Sequence, residues 1–124
     1  MNIYALNDIS YGMYIITTKY QERNVGCFVN TVSQVTANNP IISVTVNKQN
    51  FTNEALKSSK KFAISVLSEK TNPKVIGQFG FFTSREKNKF ENVKYFSSFA
   101  LYHYDISLST KIWNFFHIFK RLFL

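Results

Sequence analysis

Two short polar segments are the places where this chain could bind a small molecule. Residues 30–34 read Asn-Thr-Val-Ser-Gln, and residues 47–52 read Asn-Lys-Gln-Asn-Phe-Thr. Each interrupts an apolar stretch that is typical of a β-strand. Amides, hydroxyls, one lysine and the N-terminal end of a following helix suit a polar heterocycle or a phosphate. The alternative is that Asn30 and Asn47 are ordinary turn residues, that Thr52 is only a helix cap, and that Lys48 is a solvated surface charge.

The other reactive residue types indicate no further chemistry. The chain has no Gly-x-Gly-x-x-Gly segment, no Walker-type phosphate loop and no histidines at metal-ligand spacing. Its single cysteine, Cys27, excludes an internal disulfide, and His103 and His117 do not complete a structural zinc site with it. Between Gly26 and Phe28, Cys27 is expected to be a small buried hydrophobic residue rather than a nucleophile.

The composition is that of one folded domain. The chain has 124 residues, of which 45% are hydrophobic and 18% are charged, with a net charge of +8. This length and apolar content can bury a core, so a disordered segment is excluded. The positive charge leaves an anionic membrane or nucleic acid open as a partner, but no run of five like charges occurs, and nucleic-acid binding is not expected. No signal sequence or membrane-spanning run is visible, which predicts a cytoplasmic location.

Hydrophobic alternation and turn residues predict the elements that position the two polar segments. We expect strands over residues 13–18, 25–32, 41–46 and 62–67, and short helices near residues 7–12, 52–59 and 73–79. Thr52 is predicted to cap the second helix, and Gly80 is predicted to end the third. Four strands with short helices favour a mainly β fold, a small barrel with helical decoration.

Several stretches carry a family resemblance through their order along the chain. They are residues 11–14, 26–36, 39–48, 50–54, 62–68 and 77–81. Residues 84–90, Ser-Arg-Glu-Lys-Asn-Lys-Phe, look like a Ser-Gly-Arg…Lys-Phe segment without its glycine. Together they resemble the flavin reductase-like family, whose fold is the FMN-binding split β-barrel with Greek-key-like topology. The chain is most similar to the small NADH:flavin oxidoreductase domains that also occur fused to rubredoxin. The resemblance covers residues 1–95, which we predict to be the domain.

The resemblance implies a homodimeric flavoprotein that binds FMN, or FAD, and uses NAD(P)H as its substrate. Hydride would pass from the nicotinamide to the flavin N5, and the protein would act as a flavin reductase or an electron-transfer module. A redox protein such as rubredoxin or a flavodiiron protein is the implied partner. By likeness, the isoalloxazine and ribityl groups would be lined by Asn30, Thr31, Val32, Ser33 and Gln34. Asn47, Lys48 and Thr52 would hold the phosphate, while Arg85 and Lys89 would reach toward the phosphate or the nicotinamide.

Residues 96–124 do not match the family's pattern. This aromatic-rich tail contains no glycine or proline, and it lacks the strands that would complete the barrel. We favour a truncated or out-of-frame end. The alternative is a helix that places Ile112, Phe115, Phe116, Phe119 and Phe123 on a partner subunit or on a membrane surface. Truncation would leave an open sheet edge, so the alternative function is a non-catalytic remnant that binds flavin poorly or not at all.

Overall fold

The described part of the chain folds into short antiparallel strands and two α-helices. The computed structural model describes Tyr4, residues 9–38 and 41–94, and the backbone of residues 106–108 and 114–116. In chain order the elements are β1 (Tyr14–Tyr20), β2 (Arg23–Val29), β3 (Val32–Thr36), β4 (Ile41–Val44), α1 (Phe51–Ser59), β5 (Ala63–Val66), α2 (Pro73–Phe81), β6 (Ile106–Leu108) and β7 (Asn114–Phe116). The prediction of a mainly β chain with short helices is confirmed.

Strand β1 is the centre of the larger sheet. It pairs with β2 as a hairpin, with Tyr14 opposite Val29 and Tyr20 opposite Arg23. Its other edge pairs with β5, which gives the strand order β2-β1-β5. The hairpin turn consists of Gln21 and Glu22, and both have positive φ. Positive φ at both central residues matches the twist of the two strands, so a two-residue connection suffices here.

The predicted strand over residues 25–32 is divided in the structure. Strand β2 ends at Val29, and β3 begins at Val32 in a second sheet that it forms with β4. Asn30 and Thr31 lie between the two strands and are exposed. The polar pair therefore marks the point where the chain passes from one sheet to the other, which an uninterrupted strand would not allow.

The core lies among the two sheets and α1. Seven buried apolar residues form its main cluster: Ile16, Cys27, Val29, Val44, Val46, Leu56 and Phe62. In β2 the residues at alternating positions, Val25, Cys27 and Val29, are all buried, as the two-residue repeat of a strand requires. The expectation that Cys27 is a small buried residue is confirmed, because it is only 1% exposed.

One boundary of each helix differs from the prediction: the start of α1 and the end of α2. The N-cap of α1 is Asn50, whose side-chain oxygen accepts a hydrogen bond from the backbone N–H of Thr52, so the prediction of Thr52 as the cap was wrong. Helix α2 is capped by Asn72 and continues through Gly80 to Phe81. Gly80 does not end the helix, because it lacks the positive φ of a glycine C-cap.

The chain after residue 94 is described only as two strands. β6 and β7 pair antiparallel, with Ile106 opposite Phe116. Residues 114–116 are therefore not part of a helix, and the rest of the proposed tail helix lies outside the described residues, as does His103. Near the N-terminus, residues 9–12 are not helical, and residues 7–8 lie outside the described residues. None of the described helices has the length and apolar character to cross a membrane.

Candidate functional site

The two predicted polar segments meet at one surface hollow. This strand-end hollow has a volume of about 690 Å³ and is lined by residues 27–31 and 45–50. The first segment is the end of β2 and the chain that follows it, and the second connects β4 to α1. Of the predicted ligand-binding residues, the structure brings Asn30, Thr31, Asn47 and Lys48 together here. A volume of this size is in the range of small-molecule sites.

Backbone hydrogen bonds hold the two walls of the hollow in place. The N–H of Thr45 donates to the carbonyl oxygen of Thr31 at 3.0 Å, which joins the two segments directly. In the second wall, the carbonyl and side-chain oxygens of Asn47 accept from the N–H groups of Asn50 and Gln49, at 3.0 and 2.9 Å. Asn47 thus forms the tight turn that leads into α1. Its predicted role as a turn residue and its place in the hollow are compatible.

The hollow combines an apolar base with a polar rim. Val29 and Val46 are 7% and 3% exposed, while Asn30, Thr31 and Lys48 are exposed. Thr31 donates its hydroxyl to the side-chain oxygen of Asn30 at 3.1 Å, which orients that amide. The Lys48 ammonium has no ion pair or hydrogen bond within the described part of the chain. An apolar base beside amides and an unpaired cation fits a ligand that has a flat ring and an anionic end.

The remaining predicted residues of the first segment lie along β3. Val32 is half-buried, whereas Ser33 and Gln34 are exposed. The Ser33 hydroxyl lies 3.3 Å from the Ser43 hydroxyl on β4, and the Gln34 amide donates to the carbonyl oxygen of Thr36. None of these three residues lines the strand-end hollow. They extend from its edge along the second sheet.

Thr52 lies behind the hollow rather than in it. Its side chain is fully buried in the first turn of α1, and its hydroxyl has no hydrogen-bond partner among the described residues. Its neighbour Asn53 donates its amide to the carbonyl oxygen of Val46 at 3.1 Å. That bond ties the helix to the hollow's second wall. Thr52 and Asn53 therefore support this wall from inside the protein.

Arg85 and Lys89, which the resemblance assigns to a ligand, bind other protein groups. The Arg85 guanidinium pairs with the Glu54 carboxylate at 3.0 Å and lies over the Phe51 ring. The Lys89 ammonium is inside the protein, and the side chain is only 2% exposed. It donates to the carbonyl oxygens of Gly26 and Phe79, both at 3.0 Å. Neither residue lines the strand-end hollow.

Sequence reasoning missed the set of contacts around Gly26. The Ser84 hydroxyl donates to the Gly26 carbonyl oxygen at 2.9 Å, and Lys89 donates to the same atom. A side chain at position 26 would meet the Ile16 carbonyl oxygen at 2.8 Å, so only glycine fits between these groups. The signal available in the sequence was a glycine inside a predicted strand. This clamp fixes β2 one residue before the hollow begins at Cys27.

The surroundings of Cys27 do not activate its thiol as a nucleophile. Burial raises the pKa of Cys27 above its ordinary value, while the nearby Thr52 hydroxyl and the Lys89 ammonium lower it by smaller amounts. The same burial lowers the pKa of Lys89 below its ordinary value. A protonated, buried thiol is a weak nucleophile, so the hollow offers position and charge rather than a covalent catalyst.

Comparisons with known proteins match both the sequence and the fold. The chain is 44% identical over 95 residues to a high molecular weight rubredoxin of Moorella thermoacetica, a match that covers 77% of this chain and 42% of that protein. It is 43% identical over 95 residues to a ferric-chelate reductase (NAD(P)H) of Archaeoglobus fulgidus, covering 77% of this chain and 56% of that one. The chain thus spans about half the length of these curated relatives.

Solved structures share the architecture at low sequence identity. A flavoredoxin of Methanosarcina acetivorans superposes with a TM-score of 0.71 at 16% identity, covering 86% of this chain and 63% of that chain. An NADH:FAD oxidoreductase of Streptomyces globisporus gives a TM-score of 0.77 at 17% identity, covering 91% and 74%. These neighbours confirm the predicted split-barrel fold.

Most of the chain matches one family profile. The profile described as the flavin reductase like domain matches residues 6–104. This range contains the strand-end hollow, both helices and the clamp around Gly26. It ends nine residues beyond the boundary at residue 95 that the sequence suggested, and that boundary stays a prediction. The chain belongs to the flavin reductase like domain family.

Proposed function

We propose that this protein is an NAD(P)H-dependent flavin oxidoreductase whose FMN is held in the strand-end hollow. The observation that carries the proposal is the meeting of Asn30 and Thr31 with Asn47 and Lys48 around an apolar base. Family membership supports a flavin as the ligand. The named activity of the Archaeoglobus relative supports NAD(P)H as the electron donor. FAD is the alternative form of the cofactor.

The residues of the hollow have separate tasks in this proposal. Val29 and Val46 close the hollow on its core side, and the Asn30 amide and the backbone at Thr31 offer hydrogen bonds to the polar edge of the ring system. Lys48, with no protein counter-charge among the described residues, is free to pair with the phosphate. When bound, the flavin supplies the chemistry of accepting a hydride from the nicotinamide. The protein itself contributes binding and orientation of the reactants, so the proposed hydride transfer does not require a catalytic acid–base pair.

We also propose a homodimer that passes electrons to a small redox protein. The Moorella relative, named as a rubredoxin, supports a partner of that kind, such as rubredoxin or a flavodiiron protein. Strand β5 supports association between copies, because it is an edge of the larger sheet and Val66 on it is 53% exposed. Analytical ultracentrifugation of the full chain tests the dimer, and a single species at the monomer mass would contradict it.

A flavin titration of charge variants tests the proposal. Lys48→Ala should weaken FMN binding about 10-fold, or about 1.4 kcal/mol, which is near the low end for a charge-assisted contact because Lys48 is exposed. Lys57→Ala is the matched control, since Lys57 is an exposed lysine of α1 outside the hollow. It should leave the FMN dissociation constant unchanged. Wild-type protein that takes up no FMN and oxidises no NADH in its presence would contradict the proposed function.

A further inference from the structure

A second concavity lies on the other side of α2 and has no part in the proposed flavin site. This α2 groove has a volume of about 670 Å³ and is formed by one face of α2 and residues 82–92. The Gln78 amide donates to the carbonyl oxygens of Lys89 and Glu91 at 2.8 and 3.2 Å, which closes the floor of the groove. Helix α2 separates the two concavities, because Gly80 faces Phe28, a residue of the strand-end hollow.

The glycine in the wall of the α2 groove is not required by the fold. A Cβ atom at Gly77 would meet only the Phe81 ring, at 3.7 Å, which is ordinary van der Waals contact. Glycine inside a helix destabilises it relative to alanine, so its presence calls for another reason. A close approach of a flat ligand to the bare backbone is such a reason. Gly26, by contrast, is explained by contacts within the protein.

Two aromatic rings next to Gly77 are exposed to solvent. Phe81 is 89% exposed and Phe82 is 46% exposed. The Lys87 ammonium lies over the face of the Phe82 ring, 3.9 Å from the ring centre, so Phe81 is the ring left open for stacking. Exposed rings with an adjoining cation are the elements that bind a nucleobase by stacking and its phosphate by charge. The strand-end hollow has one aromatic residue, Phe28, and it is half-buried.

The charged groups of the α2 groove match the other parts of a nucleotide. Lys74 and Lys87 are exposed and form no ion pair with Glu86 or Glu91 in the described chain. Two ammonium groups without a carboxylate partner can hold a diphosphate. The two carboxylates can accept hydrogen bonds from ribose hydroxyls, as acidic residues do in dinucleotide sites. We infer that the α2 groove binds an adenosine phosphate, with the base stacked on the exposed Phe81 ring beside Gly77.

Calorimetric titration with ADP-ribose tests the inference on the full-length chain. ADP-ribose carries the base, two riboses and two phosphates but no nicotinamide or flavin, so the result does not depend on the proposed function. Wild-type protein should bind it, with or without saturating FMN. Gly77→Leu, which fills the groove, and Phe81→Ser, which removes the ring, should each weaken binding at least about fivefold, as the loss of one stacked base predicts.

Two matched variants keep this test specific. Val35→Ser removes another exposed apolar side chain, and Lys57→Ala removes another exposed lysine; both lie outside the α2 groove and should bind ADP-ribose as wild type does. Absence of ADP-ribose binding at millimolar concentration would overturn the inference. So would wild-type affinity in Phe81→Ser, whose ring is too exposed for the fold to depend on it.

Further titrations identify the source of the adenosine phosphate. If Phe81→Ser raises the KM for NADH and leaves the FMN dissociation constant unchanged, the groove takes one half of the nicotinamide dinucleotide. If it weakens FAD binding but not FMN binding, the groove takes the adenosine of FAD. If it affects ADP-ribose alone, the ligand is a free nucleotide. Each of these results supports nucleotide binding in the α2 groove. Titration with FMN in the absence of ADP-ribose separately tests whether the strand-end hollow binds the flavin.

Discussion

At the level of single residues, the lysines at positions 48 and 89 lie in opposite environments. Both lysines were assigned to a phosphate-bearing ligand from the resemblance, yet Lys48 is exposed at the hollow and Lys89 is buried against two backbone carbonyls. Burial of a lysine depends on which elements fold over it, so it could not be predicted from neighbouring residues. The polar pair Asn30-Thr31 could be predicted, because it interrupts an apolar run.

We expect Lys89→Met to reduce stability. The variant removes the only side-chain donor that the structure shows on the Phe79 carbonyl oxygen, near the end of α2, and a buried carbonyl without a partner costs roughly 1–3 kcal/mol. The Gly26 carbonyl keeps the Ser84 hydroxyl. Urea unfolding measures the difference, and Lys57→Met, at an exposed position, is the control. Equal stability of Lys89→Met and wild type would contradict the structural role.

The stability difference between wild type and Lys89→Met should increase with pH. Because burial lowers the pKa of Lys89, the unfolded chain binds more protons than the folded chain between the lowered pKa and the ordinary value near 10.5. The contribution of Lys89 to the free energy of unfolding should therefore increase with pH between these two pKa values. Urea unfolding at several pH values should show a larger gap between wild type and Lys89→Met toward pH 10.5. A gap that shrinks would show that the ammonium is not desolvated.

At the scale of elements, periodicity predicted the strands and helices well but placed their ends less well. The centres of β1, β4, α1, β5 and α2 lie where alternation and turn residues predicted. The ends depended on local details: the Asn50 side chain accepts the N–H of Thr52, the second residue of α1, and β2 stops where the chain passes from one sheet to the other. Both asparagine and threonine are good caps, so composition alone could not choose between them.

Paired variants of α1 test which residue caps it. Asn50→Ala should lower the free energy of unfolding by about 1 kcal/mol, as the loss of an N-cap does. Thr52→Val should change the free energy of unfolding less than Asn50→Ala does, because the buried Thr52 hydroxyl has no nitrogen or oxygen partner among the described residues and interacts with the weakly polar Cys27 thiol. Thermal unfolding distinguishes the two. A larger loss for Thr52→Val than for Asn50→Ala would assign the cap to Thr52.

At the scale of the whole molecule, the order of motifs predicted the family, and hydrophobic alternation predicted a small β-rich domain. The arrangement of β1 to β5 into two sheets, with order β2-β1-β5 and a separate β3–β4 pair, could not be predicted, because it depends on pairings between distant residues. That arrangement is what brings residues 27–31 to residues 45–50. The hollow is therefore a product of topology, although its polar residues are visible in the sequence.

Mapping FMN binding by NMR shows whether the strand-end hollow holds the flavin. Titration of ¹⁵N-labelled full-length protein with FMN should shift the backbone amides of residues 27–31 and 45–50. Amides of residues 82–92, beyond α2, should shift much less. The account would be contradicted if FMN produced no shifts, or if the largest shifts lay in residues 82–92 while those of the strand-end hollow stayed unchanged.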